Sequence, residues 1–151
     1  MLTMILTLVC VFSMVTTIKV FSATSGGTTD EVICVKTSGG WAAPKITLQQ
    51  EEASYKYDLY TVLTLFTGNT RKTKTTYGSY DVRVKNITTG EVKDYKWHKK
   101  TLELPLKKNC EYKIFVDYNS QATLNRNLLC QDGFTKAPSW KVKSSCNASY
   151  N

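Results

Sequence analysis

The sequence predicts an all-β fold, a Greek-key sandwich of about seven to nine short antiparallel strands behind a signal peptide. Three observations predict it. Apolar and polar residues alternate with period two through most of the chain beyond residue 25, and helical spacing is nearly absent. Clusters of Gly, Pro, Asn and Ser punctuate the alternating runs. The leading segment, by contrast, is uncharged and apolar.

That leading segment comes first in order. Residues 2–18, LTMILTLVCVFSMVTTI, carry no charge. Lys19 and the small polar stretch VFSATSGGTTD follow, the order of a signal-peptide hydrophobic region and its cleavage zone. Cleavage after Ser25 places Ala23 at position −3, so residues 1–25 are assigned to the signal and 26–151 to one secreted domain. The basic residues usual before the apolar run are missing. The run is at the short limit for a span of about 20 residues, which favours cleavage over an anchor.

The strands are expected in turn. VICVK is an N-terminal strand. PKITLQ puts Ile46 and Leu48 on one face. YKYDLYTVLTLF puts Tyr55, Tyr57, Leu59, Thr61, Leu63 and Leu65 on one face, and Tyr60, Val62 and Phe66 on the other. GNTRKTKTTYGS reads as a polar loop. YDVRVKN turns Tyr80, Val82 and Val84 inward; NITTG is a hairpin turn in which Gly90 permits positive φ, and EVKDYKW returns. TLELPL aligns Leu102, Leu104 and Leu106, and Pro105 marks an edge position because it cannot donate to a ladder. EYKIFVDY turns Tyr112, Ile114, Val116 and Tyr118 inward. ATLNRNLLC is expected as a further strand, and SWKVKSSC closes the chain.

The segments YDVRVKNITTGEV and LELPLKKNCEYKIFVDYN carry more. Together they resemble strands C to F of a fibronectin type III-like, immunoglobulin-like domain. In such sandwiches a tyrosine near the start of strand F folds back over the E–F corner, and its hydroxyl bonds to backbone a few residues upstream. Tyr112, after the turn Lys107–Glu111, stands in that position. The tryptophan that this family usually carries in strand B is missing.

Cysteine usage suits an exported chain. Beyond Cys10 in the signal there are Cys34, Cys110, Cys130 and Cys146, none in a C-x-x-C pair. Two disulfides are expected, with three pairings open. The resemblance selects among them. If strands F and G form a hairpin around Asn119–Gln121, Cys110 faces Cys130, which leaves Cys34 to bridge Cys146.

Charge bounds the partners. The chain carries a net charge of +8; without Lys19, 19 basic residues face 12 acidic ones, a charge of +7. That favours anionic polysaccharide, a cell-wall polymer, lipid headgroups or a surface protein. No specific nucleic-acid motif is present.

Chemistry narrows the function. The single histidine, His98 in KWHKK, has no carboxylate placed to orient it. Glu51 and Glu52 are adjacent and would point to opposite faces of a strand. TSGGW lacks the lysine and helix of a phosphate loop. No catalytic, metal or cofactor site is expected, and the chain is not expected to be an enzyme. NITTG is similar to the NPTTG loop of chagasin-like protease inhibitors, with Ile87 replacing the proline and the other two inhibitory motifs missing.

One constellation remains. The topology implied by the resemblance gathers Arg71, Lys72 and Lys74 with His98, Lys99 and Lys100 at one end, beside Trp97. Cations next to an aromatic ring suit an anionic ligand. The expected function is therefore a secreted, non-catalytic binding or adhesion domain. The alternative is a small cationic toxin or bacteriocin-like effector acting on membranes.

Overall fold

The computed structural model describes residues 25–59, 70–130 and 132–151. In chain order its strands are β1 (Ser25–Gly26), β2 (Glu31–Thr37), β3 (Lys45–Glu51), β4 (Ala53–Leu59), β5 (Thr70–Thr76), β6 (Tyr80–Asn86), β7 (Val92–Trp97), β8 (Thr101–Pro105) and β9 (Glu111–Tyr118). A helix, α1 (Ser120–Arg126), then precedes β10 (Ser139–Cys146) and β11 (Ala148–Tyr150). The expected signal segment lies outside the described residues, except for Ser25, which opens β1 opposite Lys141. No helix among the described residues is long and apolar enough to cross a membrane.

Two antiparallel sheets share one core. The first runs β1-β10-β3-β8 and the second β11-β2-β9-β6-β7. Ile46, Leu48, Leu104 and Trp140 from the first meet Ile33, Val35, Val82, Val84, Ile114 and Val116 from the second. The period-two pattern produces this directly: in β6, Tyr80, Val82, Val84 and Asn86 are buried, while Arg83 and Lys85 face solvent. Burying one such aliphatic side chain stabilises the fold by about 1.5–3 kcal/mol. The NITTG hairpin forms as expected, with Gly90 at φ 80° and Asn86 Oδ1 accepting from the Thr89 N–H. Pro105 ends β8, an edge strand.

The corner between β8 and β9 is fastened through both backbone groups of one residue, Lys107. The Lys107 N–H donates to the Tyr112 hydroxyl at 2.7 Å, as expected from the position of Tyr112. The Lys107 carbonyl accepts from the Thr37 hydroxyl at 2.6 Å. Thr37 Oγ1 in turn accepts from the Cys110 N–H at 2.9 Å. Two buried hydroxyls thus satisfy backbone groups that no sheet ladder reaches.

Three expectations are corrected. ATLNRNLLC is not a strand: residues 120–126 form α1. Asn119 caps the helix by accepting from the Ala122 N–H at 2.9 Å, and Gln121 bonds to Asn125 one turn on. Thr123, buried, accepts from the Ser79 N–H and anchors the helix to the sandwich. Second, GNTRKTKTTYGS is not simply a loop. Thr70–Thr76 forms β5, which pairs with β4 in a separate two-stranded ribbon. Its repeated β-branched threonines favour extended backbone once β4 supplies a partner. Of the expected strand through Phe66, β4 covers the part to Leu59, and residues 60–69 lie outside the described residues.

The third concerns the cysteines. All four are free thiols, and neither expected bridge is present. The Cys110–Cys130 pairing required a hairpin after β9, but the chain leaves β9 into α1. The strands flanking β9 are β2 and β6. Cys110 precedes β9, whereas Cys130 follows the helix at the strand's far end. Cys34 lies mid-strand opposite Lys113, between the inward Ile33 and Val35, and so faces away from the core. Cys146 lies in the other sheet, opposite Lys45.

Candidate anion-binding site

The connections between β3 and β6, between β7 and β8, and after β9 all leave the same end of the sandwich. Gln50, near the end of β3, donates its backbone N–H to the Lys100 carbonyl at 2.7 Å. Its side chain donates to the Gly78 carbonyl, just before β6. The Asn119 N–H, before α1, donates to the Ser79 carbonyl. These bonds bring the expected loops to one end.

At that end the chain forms the separate β4–β5 ribbon. Its base pair is Ala53 with Thr76, and its register then sets Tyr55 opposite Lys74, Tyr57 opposite Lys72 and Asp58 opposite Arg71. Directly opposed residues share a face. Lys72 and Lys74 therefore stand on the tyrosine face, and Arg71 on the other with Lys56 and Asp58. At about 3.3 Å per residue, Arg71 lies about 17 Å from the base. Tyr55 is fully buried, its ring edge-on to Phe134 at 6.1 Å between centroids. The ribbon is further pinned where the Ser54 N–H donates to the Lys136 carbonyl at 2.9 Å.

Arg71, Lys72 and Lys74 are all exposed. Arg71 holds Asp132 at 3.3 Å. Among the described residues, Lys72 and Lys74 have no carboxylate within ion-pair distance. The second part of the expected cluster is arranged differently. Lys99 and Lys100 are exposed in the short turn after β7. Trp97 is not a contact residue: at 2% exposure it packs in the core against Tyr80, 5.5 Å between ring centroids. Inward orientation of the β7 terminus removes it from the site. His98 is partly covered, and burial first, then the charges of Arg126 and Lys99, hold its pKa below the ordinary histidine value. Arg126, in the last turn of α1, thus joins this end. Sequence reading missed it because the segment was taken as a strand.

The outer face of the larger sheet offers a different setting. A groove of about 560 Å³ runs over Arg83, Asp94, Lys96, Asp81 and Phe115. Four of its charges are matched, since Arg83 Nε lies 2.8 Å from Asp94 and Lys96 donates to Asp81, while Lys85 and Asp117 in the same lining lie in no ion pair among the described residues. The Asp81 carboxyl is held below its usual range by that lysine. Such a ladder of neutralised pairs is ordinary strand-face chemistry. Among the described residues no group of three or more His, Cys, Asp or Glu is placed to hold a metal ion.

A second aromatic residue escaped the sequence reading. Trp41, in the β2–β3 loop, is 99% exposed. The signal was present in SGGWAAP: a tryptophan among small residues, outside any alternating run.

No protein-family profile, curated protein or solved structure matches this chain.

Proposed function

We propose that the chain is a secreted, non-catalytic binding domain that captures an anionic polymer or surface through its basic ribbon. The observation that carries this reading is the exposure of Arg71, Lys72 and Lys74 together on β5, with both lysines lacking acidic partners among the described residues. Unmatched exposed cations meet a polyanion with little desolvation of existing ion pairs. Lys99 and Lys100 add charge at the ribbon's base. The uncharged segment 2–18 supports export.

The same reading places the sandwich among Greek-key, fibronectin III-like or immunoglobulin-like domains. It is supported by the pairing of β3 with β8 and of β6 with β9, and by the Tyr112 hydroxyl at the corner. The exchanged neighbours are a departure: β2 takes the place beside β9, and β10 lies beside β3.

The test uses dextran sulfate as the polyanion. The variant Arg71→Gln/Lys72→Gln/Lys74→Gln is compared with Lys85→Gln/Lys93→Gln/Lys113→Gln, which removes equal charge from other exposed strand positions. The ribbon variant should bind far more weakly, and its affinity should vary less steeply with salt, since exposed charges act over about 10 Å at moderate ionic strength. Equal losses from both variants would mean that attraction belongs to the whole cationic domain and not to the ribbon.

A further inference from the structure

The end of the sandwich opposite the ribbon carries a separate feature. Trp41 stands at the tip of the loop joining β2 to β3, and its side chain is almost wholly in solvent. The loop beneath it is clamped. The Asn147 side chain donates to the Ala42 carbonyl at 2.7 Å. The Ser38 N–H donates to the Asn147 carbonyl at 2.9 Å. Gly39 and Gly40 lie so close to the side chains of Asn109 and Asn147 that a Cβ at either would approach them to 2.9–3.0 Å. A large apolar ring is therefore held outward by a fastened loop.

The surroundings of the ring select its partner. Lys108 Nζ donates to the Trp41 carbonyl at 3.3 Å, so a cation sits against the backbone that carries the ring. Around this end Glu91, Glu103 and Glu111 each lie in an ion pair with a lysine: Lys107, Lys45 and Lys36. Lys108 lies in no ion pair among the described residues. The neighbouring β6–β7 turn exposes Ile87, whose N–H donates to the Glu111 carbonyl beside the same corner. A sugar-stacking site needs polar side chains beside the ring to bond the hydroxyls, and Trp41 has open solvent there. An exposed indole, a second exposed apolar residue at the same end and a cation on the tryptophan's own backbone suit a lipid interface, where tryptophan settles at headgroup depth and lysine meets phosphate.

We propose that this loop end docks on anionic lipid bilayers, with Trp41 inserting and Lys108 engaging the headgroups. The site is independent of the ribbon and lies at the other end of the molecule.

Intrinsic fluorescence tests it directly. Trp97 and Trp140 are 2% and 1% exposed, so Trp41 alone supplies long-wavelength, acrylamide-quenchable emission among the tryptophans. With phosphatidylglycerol/phosphatidylcholine vesicles this emission should shift to the blue and lose its access to acrylamide; pure phosphatidylcholine should do neither. The apolar segment 2–18 is common to every variant, so binding is judged by differences between variants. Trp41→Ala should lower partition into the anionic vesicles at least about tenfold, and Lys108→Gln about fivefold. The ribbon variant Arg71→Gln/Lys72→Gln/Lys74→Gln should retain the Trp41 shift. Unshifted Trp41 emission on vesicles that bind the protein would overturn the proposal. So would equal partition of Trp41→Ala, or equal shielding of Trp41 by soluble dextran sulfate, which would assign the ring to a polysaccharide. Circular dichroism of Trp41→Ala should match the parent, because the side chain contributes no packing.

Discussion

Tyr112→Phe isolates the bond that closes the β8–β9 corner. The ring is 6% exposed and stays in the core in the variant, so packing is conserved. What disappears is the acceptor 2.7 Å from the Lys107 N–H. A net intramolecular hydrogen bond contributes about 0.5–1.5 kcal/mol, and a donor left unsatisfied and covered costs about 1–3 kcal/mol. The Lys107 peptide lies between buried Leu106 and an exposed turn, so a loss of about 1–2 kcal/mol is expected. Urea unfolding followed by circular dichroism should show this as a lower midpoint at unchanged slope. In a thermal melt it corresponds to about 3–5 °C for each kcal/mol in a domain of this size.

Two tyrosines supply the comparison. Tyr118 stacks edge-on to Tyr80, and Tyr118→Phe keeps that ring contact, so its cost should stay below about 0.5 kcal/mol. The Tyr80 hydroxyl is buried without a protein partner, and Tyr80→Phe should be neutral or stabilising. Thr37→Val removes the hydroxyl that bonds the Lys107 carbonyl. Combined with Tyr112→Phe it should show a coupling energy of at least about 0.5 kcal/mol, because the two bonds fix the two peptide groups that flank one residue, Lys107. If Tyr112→Phe costs no more than Tyr118→Phe, Tyr112 is an ordinary core residue and the corner is held by packing alone.

Two further outcomes are expected. Asn119→Ala removes the cap of α1 and also the bond from Nδ2 to Asp81 at 2.9 Å, and should cost about 0.5–2 kcal/mol by urea unfolding; a change below that range would mean that Thr123 alone secures the helix. His98 should titrate by NMR with a midpoint below the ordinary 6.5, and Arg126→Gln should raise it only in part, because burial is the larger cause. As the folded state resists this proton, the contribution of His98 to stability is present above the unfolded-state pKa, about 6.5, and is lost as pH falls through the folded value. A midpoint at or above 6.5 would mean that the ring is not covered as described, and an unchanged midpoint in Arg126→Gln would remove Arg126 from the neighbourhood of the site.

Local chemistry made much of the architecture legible. A strand with Tyr80, Val82 and Val84 on one side must bury that side, whatever covers it, because side chains alternate with a period of two. The NITTG turn and the Tyr112 hydroxyl bond also span only a few residues, so their geometry is written in one short segment. Neighbours across the sheets are another matter. The pattern of VICVK states which face is apolar but not that β2 lies beside β9, nor that β10 lies beside β3. Residues 120–126 carry weak preferences either way, and the cap on Asn119 and the anchor through Thr123 decided for a helix. The cysteine bridges inferred from a hairpin failed with that hairpin. The tryptophans show the limit most plainly. Trp97 ends an alternating strand and Trp41 lies in a glycine-rich loop, yet the sequence reading exposed the first and overlooked the second. Exposure depends on what packs against a ring from elsewhere in the chain: Tyr80 meets Trp97, and nothing meets Trp41. Contacts between distant segments leave no periodicity in either one, so only their tertiary meeting could separate a core residue from a surface anchor.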